Sequence, residues 1–290
     1  MSKTMWCAGS ILLAVSLALT ACATNSAAID QSTTTRTAPD IFSRAGGVNV
    51  GVVTDAPGFE ELEPGANIRE GFDVDLYRWL GNQVPPTFTP IPVDLTIDER
   101  VNALRDGRVQ LVVATFSITD ERRESIGFAG PYMLTHQGVM VRTGDTRIQS
   151  ANDLTGMTVC TLSGSTSLSQ LNEGVLKNQI LLTVEKSYNQ CVERLLGGQV
   201  DAISTDQIVL DGLAAADPTR LSVVDGFTFG AEERYGIGLP HGDAAACEVM
   251  TAKIRDFLIS GSWDQFFDKH FPGVDHASYK PDPYNLDSCV

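Results

Sequence analysis

Arg122 closes the run Ala114-Thr115-Phe116-Ser117-Ile118-Thr119-Asp120-Glu121-Arg122, which follows an apolar stretch from Leu111 that reads as a buried strand. Thr119 has the type of a helix N-cap, and Arg122 falls three residues later, in the first turn. A cation is unusual there, because a helix N-terminus already carries partial positive charge. With Ser117 and the free backbone N–H groups, the guanidinium would converge on one spot. Such a spot suits a carboxylate, a planar acceptor for a guanidinium fork with N–H and O–H donors around it. A capped helix with a surface arginine explains these residues equally well.

Other acids and nucleophiles give weaker signals. Asp73 and Asp75 could suggest a metal site or an acid/base pair, but i,i+2 positions diverge on a helix, and the helix dipole accounts for both. Asp206 ends a strand and reads, alone, as an Asx turn. The 6 cysteines form no C-x-x-C pair, and the 4 histidines show no ligand spacing, so no metal or other cofactor is expected.

The elements that must carry these residues follow an α/β pattern. The chain has 290 residues, 43% hydrophobic, enough for a full core, and a net charge of -15 with no basic cluster. Nucleic acid and anionic membrane surfaces are poor partners for that charge. Residues 1–22 read as a leader: Lys3 is basic, and Ile11 to Leu19 is too short an apolar run to span a bilayer. Leu19-Thr20-Ala21-Cys22 resembles a bacterial lipobox, which would lipidate Cys22 and make it the new N-terminus. Residues 23–40, rich in Ala, Ser and Thr, read as a tether reaching roughly 20–25 Å as a random coil.

From Ile41 onward strands alternate with helices, which implies a largely parallel sheet. Val48–Val53 is a strand. Phe72, Leu76, Leu80 and Val84 lie at helical spacing. The stretch 126–142 reads as a long connecting strand, after which the pattern starts afresh with Met157–Thr161, Ser163–Leu171, Leu181–Glu185, Asn189–Leu196 and Val200–Ser204. Arg234–Leu239 reads as a second crossing strand. Two amphipathic helices and a polar tail from Tyr279 complete the chain.

The run Gly71 to Val84 resembles the signature of the bacterial extracellular solute-binding proteins, family 3, the polar amino acid receptors of ABC importers. Colinear matches follow at Leu104–Gly107, Ser117–Thr119 with Arg122, Phe128–Tyr132, Ser163–Thr166, Gly198–Asp206 and Tyr235–Leu239. The resemblance covers about residues 45–272 and implies a periplasmic-binding-protein-like α/β fold of two lobes joined by two crossing hinge strands. Lobe 1 would comprise 41–138 and 234–290, and lobe 2 would comprise 139–233.

By that resemblance, Arg122 holds a ligand α-carboxylate, aided by the Ser117 hydroxyl, the Thr115 backbone and Thr166, while Asp206 takes the α-ammonium. Arg100 matches the arginine that faces the ligand side chain in glutamate/aspartate-binding members, and Asp55 and Phe59 lie in the pocket loop. Glutamate is therefore the expected ligand and aspartate is allowed. Asp55 argues for glutamine instead, unless it pairs with Arg100.

The expected partners are a free amino acid and a transporter permease, with a monomer held outside the cell membrane by its lipid alone. A sensor and a dehydratase-type enzyme are the other readings. The enzyme needs an acid/base group that no matched motif supplies. Of three ways to pair Cys160, Cys191, Cys247 and Cys289 in an oxidising compartment, the lobe assignment favours Cys160–Cys191 and Cys247–Cys289.

Overall fold

The computed structural model describes residues 40–289, apart from 44–45, 64, 66–67 and 175. The leader, the Cys22 lipobox and the tether through Pro39 lie outside these residues. The strands are β1 (Val48–Val52), β2 (Asp55–Ala56), β3 (Glu60–Leu62), β4 (Arg69–Glu70), β5 (Pro90–Asp94), β6 (Leu111–Val112), β7 (Gly127–Arg142), β8 (Thr158–Leu162), β9 (Leu181–Glu185), β10 (Ala202–Asp206), β11 (Leu221–Val223) and β12 (Phe229–Leu239). The helices are α1 (Phe72–Gln83), α2 (Arg100–Arg105), α3 (Asp120–Arg123), α4 (Thr166–Glu173), α5 (Tyr188–Leu196), α6 (Gln207–Ala216), α7 (Ala244–Ile259) and α8 (Ser262–His270).

Two parallel sets form as the alternation implies. β1 lies between β5 and β6, and β8 lies between β10 and β9. Between the sets run β7 and β12, antiparallel to each other. The sheet order is β5-β1-β6-β12-β7-β10-β8-β9, with β11 also on β7. β7 is 16 residues long. Its N-terminal part pairs with β12, and its end from Gln137 pairs with β10 and β11. One strand thus passes from the first α/β set into the second, and β12 returns. A short antiparallel hairpin, β2-β3-β4, flanks the first set.

Helix α1 shows why the periodic residues matter. Phe72, Leu76 and Leu80 are fully buried, each contributing roughly 1.5–3 kcal/mol of burial. The Phe72 ring stacks on Tyr132 and meets Trp263 and Phe257 edge-on. Gly71 lets α1 begin there: its φ is 137°, and a Cβ would sit 2.0 Å from the Phe59 carbonyl oxygen.

One feature differs from the sequence reading. β6 stops at Val112 rather than Thr115, because Thr115 turns to φ 44°, in the left-handed region. The polar tail folds back onto the body. The Tyr279 carbonyl accepts from Leu134 N, and Asp287 pairs with both Arg123 and Arg234. Cys289 is bonded to Cys247, and Cys160 to Cys191. At sequence separations of 31 and 42, each disulfide restricts the unfolded chain by about 4 kcal/mol. No helix among the described residues is long and apolar enough to cross a membrane.

Candidate functional site

The segment after β6 is built around a residue held against its preference. A threonine in the left-handed region costs roughly 1–3 kcal/mol, so neighbours must fix it. Asp73 does so: its Oδ2 accepts from Thr115 N at 2.9 Å, and its Oδ1 accepts from the Tyr132 hydroxyl at 2.8 Å. Asp73 is only 1% exposed. It stands in the first turn of α1, as read, and is an internal clamp as well. Thr115 N is also committed to Asp73, which removes it from the donors expected for a ligand carboxylate.

Arg100 holds the other face of this turn. Its Nε donates to Ile97 O at 2.9 Å, and its Nη1 donates to the carbonyls of Ala114 and Thr115 at 2.8 and 3.0 Å. Arg122 reaches the same region from α3. Thr119 caps that helix, its Oγ1 accepting from Arg122 N at 3.2 Å. The helix has only 4 residues, so the guanidinium dominates over any helix dipole. Its Nη1 donates to Ser117 O at 2.6 Å, and its Nη2 donates across to Gly164 O, just before α4, at 2.9 Å.

Both guanidiniums lie over the Phe116 ring, with Cζ at 4.5 Å for Arg100 and 4.9 Å for Arg122. Among the described residues, neither forms an ion pair with a carboxylate. Arg100 is 2% exposed. Burial first, and the Arg122 charge second, push its pKa down to about 9, so it stays cationic at neutral pH. Burial also lowers that of Arg122.

Asp206, at the end of β10, is 6% exposed. Its two oxygens accept from Gln137 Nε2 and the Tyr235 hydroxyl, each at 2.5 Å. A cleft of about 500 Å³ opens beside these groups, its wall including Phe116, Arg122, Thr166, Gln170 and Glu233. Thr166 stands there as the first residue of α4, whose cap is Ser165. Arg100 and Asp206 are not among the residues lining it: Arg100 lies over the Phe116 ring, and Asp206 is bonded to Gln137 and Tyr235. Ser117 is buried and faces Arg122 through its carbonyl.

Asp55 and Phe59 are placed elsewhere. Asp55 accepts from Asn189 N at 3.3 Å, at the start of α5, instead of pairing with Arg100. Phe59 is a core residue, its ring packed on Phe72, Tyr235 and Phe271. It is buried and does not line the cleft. Gln137, Glu233 and Asp73 were missed as site residues. Asp73 is a polar residue on an otherwise apolar helix face, whereas Gln137 and Glu233 sit in the polar runs Thr135-His136-Gln137 and Glu232-Glu233-Arg234 and give no local signal.

The Asp73 clamp has a pH consequence. Burial raises its pKa from 3.8 to about 7, against the lowering effect of Thr115, Tyr132 and Arg100. The stability tied to its proton is full below the unfolded value and is lost as pH rises through the folded one. The melting temperature should therefore fall between pH 5 and pH 8, and fall less in Asp73→Asn. Each 1 kcal/mol is worth roughly 2–4 °C. Equal slopes in the two proteins, by thermal melts in ligand-free buffer, would remove Asp73 as the cause.

A family model, "Bacterial extracellular solute-binding proteins, family 3", matches residues 48–273. The chain belongs to this family. Its members are amino acid-binding components of ABC transporters. The chain is 34% identical over 237 residues to the glutamate-binding protein GluB of Corynebacterium efficiens, covering 76% of this chain and 77% of that one. It is 29% identical to the glutamine-binding protein of Geobacillus stearothermophilus, covering 72% and 79%. Among solved structures it resembles an arginine-binding protein of T. maritima, with a TM-score of 0.73 and 25% identity, covering 81% of this chain and 99% of that one. These neighbours share the two-lobe architecture, and in this chain Arg122 reaches from one set of elements to the Gly164 turn of the other.

Proposed function

We propose that this protein is an extracytoplasmic receptor for free L-glutamate, with L-aspartate as second ligand, and that it delivers the amino acid to the permease of an ABC importer. One observation carries the choice: two guanidiniums, Arg100 buried and Arg122 half-buried, share the Phe116 ring, and neither has a carboxylate partner among the described residues. Two such cations suit a ligand with two carboxylates, because buried charges need compensation. Arg122, with Thr166, takes the α-carboxylate, which every amino acid has. Arg100 takes the side-chain carboxylate. Asp206 takes the ammonium. The relative named glutamate-binding supports the same choice.

The lobes, 41–138 with 234–290 and 139–233, swing about β7 and β12. The protein works as a monomer outside the cell, anchored through lipidated Cys22, and turns over no substrate. Glutamine is the second reading, favoured by the glutamine-binding relative.

A thermal-shift panel of the twenty amino acids decides between them. A ligand at a hundred times its Kd adds about 2.7 kcal/mol to the folded state. L-Glutamate should give the largest upward shift and L-aspartate the next. A larger shift with glutamine or arginine would sink the glutamate assignment, and no shift with any amino acid would sink the receptor reading.

A further inference from the structure

Behind the cleft, polar side chains from three strands meet. Gln137 on β7 is fully buried and offers its amide nitrogen to two carboxylates at once. One is Oδ1 of Asp206 at 2.5 Å, and the other is Oε1 of Glu233, on β12, at 3.1 Å. Gln170 of α4 donates to the same Glu233 oxygen at 2.8 Å. Glu233 is 5% exposed and lines the cleft. The amide orientation is fixed by chemistry, since the reverse would point a carbonyl at two carboxylates. As it stands, Gln137 Oε1 is buried with no hydrogen-bond partner. The cluster therefore combines two carboxylates with an unpaired carbonyl, and every donor bonded to the carboxylates is a neutral amide or phenol.

The geometry points to Glu233 as a second binding carboxylate: with Asp206 it seats the ligand's ammonium, and Asp206 releases its proton to the buffer as the ammonium arrives. This rests on the receptor reading above. The ammonium keeps its three N–H bonds. The O–H bond of one carboxyl breaks, and its proton leaves for bulk solvent. Two carboxylates bonded to one amide nitrogen repel each other, and a bound ammonium offsets that repulsion.

The groups facing the pair are Arg100 from α2, Arg122 from α3, Tyr188 from α5 and Tyr235 from β12. The arginines act on it through space, Arg122 towards both carboxylates and Arg100 towards Asp206. Both phenols are pushed above their ordinary range by burial and stay neutral. Asp206 is raised to about 7 by burial, then by the Glu233 charge, while Tyr235, Gln137 and Arg100 pull it down. It is thus the member of this set that changes charge near neutrality.

The test is calorimetry of L-glutamate and of L-glutamine in buffers of matched pH and different ionisation enthalpy. For a group titrating at about 7, binding should release about 0.9 proton at pH 6 and under about 0.1 at pH 8.5. Affinity should rise about tenfold from pH 6 to pH 8. In Glu233→Gln the release at pH 6 should fall by more than about half, with affinity at pH 8 weakened roughly tenfold, whereas Glu233→Asp should restore the release.

Binding with no buffer-dependent heat at pH 6 would overturn the inference and leave the receptor reading intact. An unchanged proton count in Glu233→Gln would overturn the role of Glu233. Failure of both ligands to bind would overturn the receptor reading and this inference together. The wild-type proton count tests the pair whether or not either variant folds.

Discussion

Exchange of Arg100 for glutamine should weaken L-glutamate about a hundredfold and L-glutamine by less than about fivefold. Arg100 is bonded to three backbone carbonyls, and its charge has no carboxylate partner among the described residues. A ligand carboxylate placed against it would be desolvated and paired. Truncating one partner of such a pair costs about 2–5 kcal/mol, much of it the penalty of leaving the other charge buried alone. Glutamine as ligand presents a neutral amide and escapes that penalty. The glutamine side chain at position 100 keeps N–H donors for the carbonyls of Ala114 and Thr115, so the loop retains support. The ligand-free variant should also melt higher, because a buried unpaired cation has been removed. Calorimetry with both ligands reads the result directly. Equal losses would show that Arg100 supports the loop without meeting the ligand side chain.

The parts of this molecule that follow from local pattern are legible in its sequence. Val48, Val50 and Val52 in a short apolar run, and Phe72, Leu76 and Leu80 at helical spacing, announce a strand and a helix whose burial the structure displays. The α/β alternation gives the parallel sets. The restart of that pattern after residue 142 gives two lobes. Arg122 was found because a cation after an N-cap is out of place, and the Thr119 cap is present as read.

Local pattern fails where a residue's meaning depends on a distant partner. Asp73 and Thr115 are 42 residues apart, and nothing near Asp73 says that it will hold a left-handed threonine. Gln137, Asp206 and Glu233 come from three strands whose meeting is a property of the sheet order. Phe59 shows how burial depends on partners that the local pattern does not name. An aromatic residue in a pocket loop invites a ligand role, yet the nearest rings capture it. The tail's disulfide follows from the lobe assignment, but the pairing of Asp287 with Arg123 and Arg234, far back in the chain, has no local signal.

Arg122→Ala should lose L-glutamate and L-glutamine alike, each by about a thousandfold, whereas Arg100 sorts one from the other. The reason is the shared head group. Arg122 spends two of about five N–H donors on the Ser117 and Gly164 carbonyls, and the rest of the fork remains for a carboxylate. Its position over Phe116 fixes the plane of that fork. Alanine removes the cation, the fork and the bond from α3 to the turn before α4, so the bound arrangement loses a contact between the lobes as well as the anchor. Arg122→Lys separates these effects. It keeps a charge near the same place but offers a compact ammonium instead of a planar fork, and it should recover only part of the affinity. Full recovery in the lysine variant, measured by calorimetry, would mean that charge alone is recognised. Loss of glutamate with normal glutamine binding in the alanine variant would exchange the roles of the two arginines and place the α-carboxylate on Arg100.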